Sequence, residues 1–471
     1  MDALPPQNTL AALEAQVARD LGLLAYPAAP WVQPVMAPDG SEALDCAIIG
    51  AGQYGLCVAA GLRREQVQRI EVFDAAAAGQ EGPWVTFARM AGLRTPKYLT
   101  GPDLGIGALS FQAYWEALHG AAGWDAIDRV PRTAWMDYLN WYRHVLDLPV
   151  RNGWTLVSVM PTSDARLMRL GFSTPDGPRQ KFAKTVVLAT GPMGGGGHGL
   201  PADLVAAVPP GRLHHANDVF DLDVLAGARV GIQGAGATAF DVGISALRAG
   251  AAGATVCVRR GALPRDNPRR WMETAGYLGH YVDLPDDAKW AIIRHLRTLG
   301  QPPPQPTYDT AMALPGFAIA EGFPWDKVTW TGDEIVVEGG GRRLAFDHLV
   351  VATGFFSDLD RRPEYHEIGR HAARWHDRYT PPEADAGMGR QPYLDRFGAF
   401  MPRDPAAAPW LDRVLTITGN ASLSLGPITT SISGMKYAAP RLVEGVKRRI
   451  FLDQQAQDWD ALLHRDHAEL R

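Results

Sequence analysis

Cysteine is scarce in this chain: three in 471 residues, at Cys46, Cys57 and Cys257. None forms a Cys-x-x-Cys pair or a metal-ligand cluster, which argues against a redox dithiol, a thiolate metal site and a disulfide framework. Cys46 and Cys257 lie in apolar, strand-like runs, where a thiol is ordinarily a small core residue. Long hydrophobic runs are missing as well, since no apolar stretch reaches the roughly 18 residues needed to cross a bilayer. The opening MDALPPQNTL has no basic stretch leading into an apolar core. No secretory signal is therefore predicted, and the expected location is cytoplasmic. Charge of one sign is not in excess either. A net charge of −5 gives no reason to expect nucleic acid or an anionic membrane as partner.

What is present is a chain too long for one ordinary core, so two domains are expected. Residues 1–44 read as an added segment. Leu10, Leu13, Val17, Leu21 and Leu24 fall near helical spacing, and a proline-rich connector runs from Pro27 to Pro38. The helix either packs on its own domain or serves a homo-oligomer contact. A strand, Leu44 to Ile49, then enters Gly50-Ala-Gly52-Gln-Tyr-Gly55 and a helix through Leu62, and a second strand runs from Ile70 to Asp74. The pattern recurs as Arg229 to Gln233, Gly234-Ala-Gly236-Ala-Thr-Ala239, a helix to about Leu247, and the strand Thr255 to Val258. Two short buried strands each end in Ala-Thr-Gly, at Gly191 and Gly354. The predicted fold class is α/β with two Rossmann-like dinucleotide-binding domains, the second inserted in the first. The first occupies 45–200 and 350–471; the second occupies 201–349. Gln301 to Pro306 is expected to lack regular structure, and Gly194 to Gly197 to form a flexible hinge or a solvent loop.

In the first motif Gly50 permits the tight turn, Gly52 admits a pyrophosphate close to the backbone, and Gly55 lets helix and strand pack. The helix N-terminus offers unpaired N–H groups to phosphate. Asp74, nineteen residues beyond Gly55, is placed to accept from ribose hydroxyls. These features predict FAD. The second motif, with Gly234, Gly236 and Ala239, differs in that its second strand ends in Arg259-Arg260. Arginines there suit a 2′-phosphate, so NADPH is expected over NADH unless both side chains are simply solvated.

Taken together, these features resemble the class B flavoprotein monooxygenases: flavin-containing monooxygenases, Baeyer–Villiger enzymes and microbial N-hydroxylases. Gly82-Pro-Trp84 is similar to the Gly-Gly-x-Trp that follows the ribose-binding acid in that superfamily. Leu93 to Leu99, with Arg94 and Lys97, resembles the segment where N-hydroxylases place a substrate- or NADPH-contacting lysine. Pro131 to Tyr142 looks like the family's Tyr-x-x-Trp helix. Thr418 to Pro427, with Ser431 to Ser433, is similar to the segment covering the flavin ring. The linker is similar to Phe-x-Gly-x-x-x-His followed by an aromatic: Gly211 and His215 match, Pro209 replaces the Phe, and Val219 stands one place before Phe220.

The resemblance implies FAD contacts from Gln53, Tyr54, Ala75, Trp84, Leu156, Thr190, Gly191, Leu425 and Gly426, and NADPH contacts from Ala237 and Thr238. It implies catalytic roles for His215 and Lys97. It also implies that NADPH reduces the flavin, that O₂ adds at the flavin C4a carbon, and that bound NADP⁺ keeps water away until a small-molecule substrate takes one oxygen atom. No metal is called for. Arg94, Lys97, Arg265, Asn267 and Trp271 are the candidate substrate contacts, although NADPH phosphates are the preferred partners of Arg265 or Arg270 and Lys97 suits a solvated face as well. N-hydroxylation is the first expectation and ring hydroxylation of a heterocycle such as urate the second. An NADPH:acceptor reductase without oxygen insertion, and a non-enzymatic flavin sensor, are the readings from other classes.

Overall fold

Leu44–Ile49 is apolar along almost its whole length because both of its faces are covered, as in an interior parallel strand. In the computed structural model, which describes residues 9–25, 28–99 and 101–465, it pairs with Ile70–Asp74 on one side and Gly177–Leu188 on the other. Pro27 lies outside the described residues. Val150–Asn152 extends this sheet beyond Ile70–Asp74, and Val414–Thr416 pairs in parallel with Gly177–Leu188. Met168–Thr174 and Thr155–Pro161 add an antiparallel edge.

The second sheet is parallel throughout. Its order is Phe317–Glu321, Gly253–Val258, Arg229–Gln233, His348–Val351 and Leu213–His215. An antiparallel meander of Lys327–Trp330, Ile335–Gly339 and Arg342–Phe346 packs beside it. Each sheet has its own apolar core. His348–Val351 pairs on both sides inside the second sheet, so a division at residue 350 cuts a strand, and the chain crosses back only after Gly354.

The helix Leu10–Leu23 buries Val17 against the first core, with Leu10, Leu13 and Leu21 beside it. The long helix Ile432–Leu463 closes over Gln53–Arg64, where Gly61 admits the Val443 side chain. No described helix is long and apolar enough to cross a membrane.

Two local expectations need correction. Gln305 and Pro306 open the helix Gln305–Met312 instead of breaking it, because a proline in the first turn loses no helical hydrogen bond. Gly194 to Gly196 are buried, not a loose hinge. A Cβ at these positions would strike Thr190, Asn420 and the Phe356 carbonyl in turn. The returning chain is bonded to this run, from Phe356 N–H to the Gly197 oxygen at 2.8 Å and from Asp358 N–H to the Gly195 oxygen at 3.0 Å. Glycine here serves close packing of two crossing segments.

Candidate functional site

Both glycine loops lie at the carboxyl ends of their strands, where open α/β sheets hold ligands. In the first loop a Cβ at Gly50 would meet the Ala189 carbonyl and one at Gly55 would collide with the Gly50 oxygen, whereas one at Gly52 would meet nothing within 4 Å. The helix Gln53–Arg64 starts there without a side-chain cap, so no side chain at the N-cap takes up its first N–H groups. Asp74 accepts from Ala51 N–H at 2.7 Å and Ala76 N–H at 2.8 Å. Burial pushes its carboxyl above the ordinary value, and Glu81 adds to the effect while the two N–H groups and Arg143 oppose it.

Behind it, buried Glu81 accepts from Arg143 at 3.1 Å and Asn152 at 2.6 Å. Ala75 is exposed at the strand end. Gln53 accepts from the Trp135 indole at 3.2 Å, and Trp84 stands edge-on to Trp135. The Tyr54 hydroxyl donates to the carbonyls of Thr429 and Ser431, tying the loop to the C-terminal segment. Thr190 ends the adjoining strand with a buried, unpartnered hydroxyl oxygen, next to Gly191. Leu156 is buried in the first core, on the antiparallel edge. Leu425 and Gly426 line a small pocket with Met272, Tyr277 and Thr429.

The second loop repeats the geometry. A Cβ at Gly234 would strike the Ala352 carbonyl and Ala239, whereas one at Gly236 would meet only the Gln301 oxygen, at 3.9 Å. The helix Ala237–Arg248 starts there without a side-chain cap, with Ala237 buried and Thr238 half-buried in its first turn. The two arginines separate. Arg260 donates to the carbonyls of Thr298, Leu299 and Arg297, finishing the helix Asp286–Leu299. Arg259 is exposed. Arg269, which carries no signal in a glycine-motif reading, is half-buried and bonds Gln301 at 3.1 Å, with burial alone pushing its guanidinium down. Its neighbourhood in the chain, next to Asn267 and Trp271, was the only hint.

The remaining candidates fall in different places. The Lys97 ammonium donates to the Trp124 and Ile127 carbonyls at 2.7 and 2.9 Å and lies over the Trp124 ring. It therefore serves the end of the helix Phe111–Ala126. Arg94 is ion-paired with Asp241, a buried acid on the second unit's first helix, and so spans the two units. Arg265 and Trp271 are exposed, Trp271 edge-on to Tyr277, and the Asn267 side-chain oxygen is buried without a partner.

His215 is buried at the end of Leu213–His215. It is stacked on His198 at 4.4 Å, and its Nδ1 accepts from Asn217 N–H at 3.1 Å. Asp218 holds the pair, bonding His198 at 2.8 Å and the His215 N–H at 2.9 Å. The ligating atoms of these three residues come within 4.8 Å of one another. Stacked rings, however, direct their lone pairs side by side, which suits a hydrogen-bonded latch between the crossing segment and the linker. Val219 is exposed, and Phe220 supplies the aromatic contact by stacking on His214 at 4.2 Å.

The FAD-NAD(P)-binding family matches residues 47–193. A FAD-dependent urate hydroxylase from Xanthomonas campestris is 42% identical over 98% of this chain and 97% of its own. The chain belongs to the family of this FAD-dependent hydroxylase and is a flavin-dependent monooxygenase. Among solved structures, the ornithine hydroxylase of Pseudomonas aeruginosa superposes on this flavoprotein with a TM-score of 0.68 at 14% identity, covering 87% of this chain and 100% of its own. An ornithine N-hydroxylase from Kutzneria sp. 744, solved with reduced FAD, NADP⁺ and L-ornithine, gives 0.67 at 16% identity, over 86% and 99%. At such identities these two speak for the two-unit fold of the monooxygenase, not for its substrate.

Proposed function

We propose that this monooxygenase hydroxylates urate, using FAD, NADPH and O₂. The observation that carries the reading is the end-to-end 42% identity with a urate hydroxylase, against 14–16% for the amine N-hydroxylases. The Lys97 geometry points the same way, because the lysine that an N-hydroxylase would aim at its substrate is spent on a helix end. In the overall reaction NADPH gives two electrons, one oxygen atom of O₂ enters a ring carbon of urate, and the other leaves as water. FAD when bound supplies the activation of O₂.

The chain's share is placement and exclusion of water. Gly52 and the free turn beyond it take the FAD pyrophosphate, and Asp74, held by two backbone N–H groups and backed by Glu81, Arg143 and Asn152, turns toward the ribose. Gly236 and Arg269 take the NADPH pyrophosphate, and exposed Arg259 takes the 2′-phosphate. The latch of His198, His215 and Asp218 fixes the linker that sets one unit against the other.

The test is a substrate panel on purified FAD-loaded protein. Loss of urate absorbance matched one-to-one to NADPH and O₂ consumed is expected, with no hydroxamate-forming product from ornithine or lysine. Stoichiometric N-hydroxylation of an amine with urate untouched would overturn the proposal. NADPH oxidation by an electron acceptor without O₂ uptake would favour the reductase reading.

A further inference from the structure

Two arginines stand near one another beside the loop after Trp84. Arg89, in the loop after Trp84, is half-buried. Its guanidinium carbon lies 4.5 Å above the Phe220 ring, and its Nε is buried without a partner. Its Nη2 has only a long 3.4 Å contact with the Asp218 backbone oxygen. Arg132, half-buried at the start of Arg132–Val145, donates to the Trp84 carbonyl. Burial, with repulsion from Arg132 added to it, pushes Arg89 below the ordinary arginine range, and the nearby Asp218 carboxylate offsets this only in part. Among the described residues neither forms an ion pair, and the Asp218 carboxylate is already engaged by His198 and by the His215 N–H.

Like charges drawn partly out of water without a direct ion-pair partner destabilise a protein, and an anion between them removes that cost. The position is informative. Arg89 and Arg132 bracket Trp84, whose neighbour Trp135 bonds Gln53 on the first glycine loop, while Phe220 belongs to the linker of the second unit. Phe220, itself stacked on His214, lies under the Arg89 guanidinium, whose Nε is left without a partner.

We propose that Arg89 and Arg132 recognise the substrate as a planar anionic N-heterocycle, the paired N–H donors of Arg89 meeting its negatively charged amide edge. This rests on the reading of urate as substrate. The same chemistry would also suit a nucleotide phosphate, so the test separates the two. Arg89→Gln and Arg89→Lys are compared with wild type for FAD content, for urate binding to the oxidised enzyme by calorimetry, for binding of hypoxanthine as a neutral purine of similar shape, and for the NADPH dependence of flavin reduction without urate.

Arg89→Gln is expected to weaken urate at least tenfold, Arg89→Lys to restore part of the affinity, and FAD content, hypoxanthine binding and NADPH dependence to stay as in wild type. A shift in NADPH dependence with urate binding intact would assign the pair to the nucleotide and overturn the proposal. Equal losses for urate and hypoxanthine would reduce Arg89 to packing and also overturn it. A wild type that consumes urate, beside an Arg89→Gln variant that binds it normally, removes this site and leaves the function standing. A wild type that does not bind urate removes the function itself.

Discussion

The backbone N–H groups of Ala51 and Ala76 hold the Asp74 carboxylate beside the glycine loop, where the proposed FAD ribose would meet it. Asp74→Ala should therefore lower FAD occupancy of the purified protein, and flavin content equal to wild type by absorbance would sink this assignment. At the second loop the charges do different work, although the sequence sets them side by side. Replacing Arg269 with Gln should raise the KM for NADPH and NADH alike by at least about tenfold, the effect of losing one charge-assisted contact of about 1.5–3 kcal/mol. Arg259→Ala should raise it for NADPH alone. Arg260→Ala should lower the melting temperature and leave nucleotide preference unchanged, since Arg260 finishes a helix. Steady-state kinetics with both nucleotides, paired with thermal melts, separate the three. A strand ending in two arginines is legible in sequence, but which of them finds a helix end 38 residues on is not. The partners of Lys97 were not legible for the same reason: Trp124 and Ile127 are brought to it by how a later helix packs.

Glycine-loop elements were the most legible part of the chain. Leu44–Ile49, Ile70–Asp74 and Arg229–Gln233 fall where the apolar runs and glycine spacing put them, because strand, turn and helix are set by neighbours in sequence. The run from Gly194 to Gly197 was not legible, since four glycines read as freedom until the returning chain is seen pressed against them. Glycine thus has two meanings, and substitution distinguishes them. Gly52→Ala leaves packing untouched but puts a methyl group where a phosphate would approach, so it should fold with the apoprotein stability of wild type and bind FAD weakly. Gly55→Ala forces its Cβ into the Gly50 carbonyl and should lose stability with or without FAD. Thermal melts of apo and FAD-reconstituted variants read both outcomes; equal destabilisation of the two would mean that the open space at Gly52 has no ligand to hold.

At the scale of the molecule the two units are joined by the paired crossings, the Arg94–Asp241 ion pair and a cluster of histidines along the linker. Three of those histidines report on the junction. Burial lowers the pKa of His214, His215 and His348 below the ordinary 6.5, with the neighbouring His198 adding to the effect at His215 and the His214–His348 contact at 3.4 Å adding to it at His348. A histidine depressed in the folded state is neutral there while the unfolded chain takes up a proton. Its contribution is therefore intact above 6.5 and is lost as the pH falls from there toward the folded-state value. Each such group steepens the pH dependence by up to about 1.4 kcal/mol per unit. Thermal unfolding followed from pH 7.5 to 5.5 should thus show stability falling below 6.5. The fall should be shallower in His348→Gln, which removes one titrating ring. A second-unit tryptophan, Trp325 or Trp330 beside the second sheet, can report whether that unit loosens before the first. A wild-type profile flat through this range, or one unchanged by His348→Gln, would mean that these rings remain solvated and that the junction is held by the ion pair and the crossings alone.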